Sequence, residues 1–78
     1  MIFAIDIPEP YRTAMERQQF QAAADLPATD GPALYARGLA RREVGREHLA
    51  REDFLAAARE HPAIGDACRL ELLFLDLR

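Results

Sequence analysis

The 78-residue chain has no lysine, serine, asparagine or tryptophan, and a single cysteine. Without lysine there is no amine to serve as a tuned base or to form a Schiff base, and all ten basic side chains are planar guanidiniums that keep their charge. Without serine the usual hydroxyl nucleophile of a hydrolase is missing. A lone Cys68 excludes an internal disulfide and a cysteine-based metal cluster, and fits a reduced, cytoplasmic setting. There is no glycine-rich phosphate loop, and no run approaches the ~20 apolar residues of a membrane span. Met1-Ile2-Phe3-Ala4-Ile5 lacks a basic flank and is too short for a signal peptide. These absences point away from catalysis, membranes and cofactors.

What is present is alanine and arginine. Fifteen residues are Ala, which lets helices approach closely but does not build a thick core, and only Phe3, Tyr11, Phe20, Tyr35, Phe54 and Phe74 are aromatic. Such a core supplies at most ~3–5 kcal/mol in a chain this short, so association is the expected source of further stability. The net charge is −3, and acids alternate with arginines in Arg46-Glu47, Arg51-Glu52-Asp53 and Arg59-Glu60. That alternation describes a solvated helix surface, not a stripe for nucleic acid.

The order of breakers along the chain predicts an all-α domain of about four helices, residues 11–78, behind an extended N-terminal arm, residues 1–10. The arm is β-branched and alternating before Pro8 and Pro10 stop it. Pro10 opens a helix running to about Asp25, with Glu9 and Glu16 favourable near its positive end. In one continuous helix Tyr11, Ala14, Met15, Ala22 and Leu26 would share a face, with Phe20, Ala23 and Ala24 opposite. Pro27 and Thr29-Asp30-Gly31-Pro32 break the chain and provide a new cap. A second helix runs from about Pro32 to Val44 and ends at Gly45, and a third runs from near Leu49 to His61, where Pro62 stops it. Only Arg46-Glu47-His48 separate these two, so they are antiparallel neighbours. The fourth starts after Gly65-Asp66, with Asp66 as its cap. Leu70, Leu73, Phe74 and Leu77 give its helical stripe, and Leu72 and Leu75 lie on its far side. Leu70-Glu71-Leu72 also alternates as a strand would, but the longer stripe favours a helix.

Gly38, Gly45 seven residues on, Ala50 five on, Phe54 four on, Ala57 three on and Pro62 five on form the spacing of one repeat unit from Gly31 to Ile64. This pattern resembles the tetratricopeptide (TPR) repeat, in which small residues bring two helices together and an aromatic residue wedges between them. Arg37-Gly38 with Asp53-Phe54 is similar to a variant of that repeat, and on facing helices Arg37 and Asp53 would form a bidentate pair. The first-helix packing positions depart from the family, being Leu34, Arg37 and Arg41. The first predicted helix resembles the second half of a repeat and the fourth resembles a first half. The chain therefore reads as one complete repeat between two half repeats. Units of this kind cannot bury their apolar face alone.

The resemblance implies a protein–protein interaction module that binds a partner peptide or helix in a groove lined by first helices. Here the groove would carry Tyr35, Leu39, Arg42 and Glu43, then Arg69, Leu73 and Asp76. Homodimerisation would use Leu70, Leu73, Phe74 and Leu77. The alternative is a small helical regulator that occludes its target with the apolar last helix. TPR domains that clamp a peptide carboxylate use a Lys/Asn-rich set, which this chain lacks. His48 and Glu52 are four apart, but two ligands do not close a metal site, and no metal is expected. His61 belongs in the last turn of a helix, where an imidazolium is favourable, and Cys68 reads as a buried thiol.

Overall fold

The computed structural model describes residues 7–76, with side chains described for residues 7–73. The described part is all-helical: α1 (Tyr11–Glu16), α2 (Phe20–Ala24), α3 (Gly31–Glu43), α4 (Glu47–Glu60) and α5 (Gly65–Asp76), with a 3₁₀ turn at Pro62–Ile64 ahead of α5. The arm expected over residues 1–10 lies outside the described residues up to Asp6. Ile7 is half-buried and packs against both apolar clusters.

The single helix expected from Pro10 to Asp25 is two helices. The chain stops after Glu16 in a Schellman motif: Gln19 N–H donates to the Ala14 carbonyl at 2.8 Å and Gln18 N–H to that of Met15 at 3.0 Å. Gln18 itself sits in the left-handed region at φ 59°. The break resets the helical phase, so Ala23 and Ala24 are fully buried while Ala22 is exposed. Glu16, expected near a positive helix end, closes α1 instead. At the other end Glu9 accepts from the Thr13 hydroxyl at 2.7 Å and from its N–H at 3.1 Å, and these bonds hold the Glu9 carboxyl below its ordinary range.

The next helices follow the sequence closely. Asp30 Oδ1 accepts from Ala33 N–H at 2.8 Å and caps α3, with Pro32 in the first turn. α3 ends in a second Schellman motif, with Gly45 at φ 84° in the left-handed position. α4 starts at Glu47, two residues before the expected Leu49. The two helices run antiparallel: Gly31 lies against Ala57 and His61, Gly38 against Phe54, and Arg41 against Asp53. A Cβ on Gly38 would sit 2.6 Å from Phe54 Cε1, so only glycine admits the fully buried ring at this crossing. Pro62 ends α4, but the chain tightens into the 3₁₀ turn and α5 starts at Gly65, leaving Asp66 inside the first turn and not at the cap.

α3 is shared by two cores. Ala33, Ala36 and Ala40, at helical spacing, meet Tyr11, Ala14, Ala23 and Ala24. On its other side Leu34 and Tyr35 join Ala50, Phe54, Ala57, Ile64, Ala67 and Cys68. Tyr35 and Phe54 rings stand 5.8 Å apart, tilted by 53°.

Candidate interaction surface

A polar cluster fixes α2 and α3 to α4. Asp53 is nearly buried and accepts from Arg37 Nε at 3.0 Å and Nη2 at 2.9 Å, the bidentate pair the spacing predicts. Arg41 Nη1 reaches the same carboxylate at 2.9 Å. Each arginine also turns back toward the C-terminal end of α2: Arg37 Nη1 donates to the Leu26 carbonyl at 3.2 Å and Arg41 Nε to that of Ala24 at 3.1 Å. Tyr11 places its hydroxyl 2.9 Å from the Leu26 carbonyl and 2.6 Å from that of Pro27. Carbonyls left over at a helix end thus find donors inside the molecule. The hydrogen bond to Asp53 pushes the Arg37 pKa up, and burial pushes the Tyr11 phenol up. In the sequence Arg41 is only a departure from the repeat pattern. Its role depends on residues twelve and seventeen positions away, which periodicity does not register.

The expected groove residues divide. Tyr35 is buried at 4% exposure with its phenol pKa raised by burial, so it offers a partner almost no surface. Arg42 is half-buried and paired with Glu71 on α5. Leu39 is half-buried and packs against the larger core. The α3 side of the expected groove is thus largely occupied by the chain's own side chains, and Glu43 alone of that set is exposed. On α5, Arg69 and Leu73 are exposed, whereas Tyr35 on α3 is buried. The burial of Glu71 leaves no mark in the sequence, since its partner Arg42 lies on another helix.

α5 has two faces. Ala67, Cys68 and Glu71 are buried and Leu72 packs on the core, while Asp66, Arg69, Leu70 and Leu73 face water. Leu70 and Leu73 remain 45% and 53% exposed, a stripe of two large apolar side chains one turn apart. Of the expected dimer contacts, Phe74 has no described side chain and Leu77 lies outside the described residues. Cys68 is fully buried, and burial pushes its thiol up to about 11.

A shallow depression of about 410 Å³ opens between α3 and α4, lined by residues of these two helices. Leu34, Leu55 and Ala56 wall it, the Arg37–Asp53 pair lies beneath, and Glu52 and Arg59 stand exposed beside it. Leu55 is 47% exposed there. His48 Nε2 is 3.3 Å from Glu52 in the open, and no three His, Cys, Asp or Glu among the described residues are grouped to hold a metal ion. No helix among the described residues is long and apolar enough to cross a membrane.

Comparison with family models, with curated proteins and with solved structures finds no match for the chain.

Proposed function

We propose that the chain is a small TPR-like interaction module that binds a protein partner non-covalently, a second copy of itself among them, through the outward face of α5. The observation that carries this reading is the leucine stripe of Leu70 and Leu73, left in water on a helix whose opposite face is already packed. Large apolar side chains grouped on one helix face mark a docking surface more often than singly scattered ones do. The antiparallel α3–α4 pair, with Phe54 wedged against Gly38 and Arg37 bonded to Asp53, supports the repeat-like reading. Since Tyr35 and Arg42 are engaged within the chain, the proposed partner surface narrows to Leu70 and Leu73, flanked by Arg69. The same face would serve a regulator that occludes its target. The role requires no catalysis, metal or cofactor, and the reduced Cys68 suits the cytoplasm.

The Leu70→Glu/Leu73→Glu double variant tests this. Sedimentation equilibrium reads self-association, and capture from a lysate of the native cell reads other partners. Both are followed beside far-ultraviolet circular dichroism. The variant should keep its helicity, because these side chains do not belong to the core, and should lose at least about tenfold in apparent affinity. Unchanged association and unchanged capture would remove α5 as the docking face.

A further inference from the structure

The exposed stripe of α5 and the depression between α3 and α4 match in length and in charge. Glu52 and Arg59 flank the depression seven residues apart on α4, about 10.5 Å along the helix at 1.5 Å per residue. Asp66 and Leu73 bound the stripe on α5 over the same seven residues. Laid antiparallel, Asp66 falls against Arg59, Leu70 over Leu55 and Ala56, and Arg69 one turn from Glu52. Laid parallel, Asp66 would meet Glu52 and the carboxylates would repel. Asp66 and Arg69, 3.9 Å apart, and Glu52, 3.3 Å from His48, are all exposed and can exchange these partners for others. Within one molecule the two surfaces cannot meet, because α5 packs on its own α4 through the face carrying Ala67 and Cys68.

We propose that the α5 stripe of one copy seats antiparallel in the α3–α4 depression of a second copy, and this rests on the reading of α5 as a docking face. Leu70 fills the space walled by Leu34, Leu55 and Ala56, and the Asp66–Arg59 and Arg69–Glu52 pairs set the direction. Each copy then offers one stripe and one depression. Such head-to-tail contacts extend into chains or close into rings, unlike the self-complementary patch of a two-fold dimer.

Sedimentation equilibrium of the full chain across a concentration series tests the contact, with circular dichroism to check folding. Wild type should show a mass that rises above the monomer with concentration. Arg59→Asp and Asp66→Arg should each weaken association about tenfold, since each sets like charges face to face. Mixing these two variants should restore association to within about threefold of wild type, because every contact between unlike copies again pairs opposite charges. A wild-type chain that stays monomeric at every concentration overturns the proposal, and leaves α5 as a docking face if Leu70→Glu/Leu73→Glu still abolishes capture of other proteins. Association that is lost with the leucines but indifferent to Arg59→Asp overturns the depression as the seat. Association that ignores all of these changes overturns both.

Discussion

Asp53 binds two arginines whose side chains are themselves mostly out of water, and both arginines also serve backbone carbonyls, Arg41 that of Ala24 at the end of α2 and Arg37 that of Leu26 just beyond it. Removing the carboxylate strands two cations at once. Asp53→Ala should cost about 3 kcal/mol, read as a lowered midpoint in urea unfolding, far beyond the 0–1 kcal/mol of an exposed pair. Cys68 governs a different dependence. Its thiol keeps its proton to about pH 11 in the fold, against an ordinary value of 9.0. Above pH 9 the unfolded chain therefore sheds a proton that the folded chain retains. The contribution is fully present below pH 9 and is lost as pH rises toward 11, by at most on the order of 2 kcal/mol. Tyr11 and Tyr35, whose phenols are raised by burial, act in the same direction. Urea midpoints measured from pH 7 to 11 should fall, and a Cys68→Ala variant should fall less steeply above pH 9.

Among the elements, the break between α1 and α2 rests on Gln18 at φ 59°, a conformation that costs an ordinary side chain about 1 kcal/mol and costs glycine almost nothing. Gln18→Gly should raise stability by about 0.5–1 kcal/mol in thermal or urea unfolding, where glycine inside a continuous helix would lower it by a similar amount. The same residue explains what the sequence left hidden. Gly45 announces its left-handed turn by type, and Asp30 and Pro62 announce a cap and a stop, so α3 and α4 were legible to within two residues. Gln18 carries no such mark, and the apolar spacing from Tyr11 to Leu26 fits an unbroken helix nearly as well. The Arg37–Asp53 pair was legible because both residues belong to a known spacing. Arg41 on Asp53 and Arg42 on Glu71 were not, because each depends on how helices far apart in sequence are set side by side.

At the scale of the whole molecule, among the described side chains α5 is joined to the rest by Ala67, Cys68 and Leu72 and by the Arg42–Glu71 pair that reaches α3. Glu71→Ala should leave α3 and α4 protected while amide hydrogen exchange across residues 65–73 speeds up about tenfold, as a locally opening unit would. An equal increase across all helices would mean that α5 is inseparable from the main core. The Ala33, Ala36 and Ala40 face gives the opposite case, for α3 belongs to both cores and cannot open without dissolving each. The shared carboxylate at position 53 carries this linkage into descent. A lineage that replaced Asp53 with an apolar residue could hold this shape only by also discharging positions 37 and 41. Those three sites should therefore change in concert among relatives, as a lock and two keys cut together.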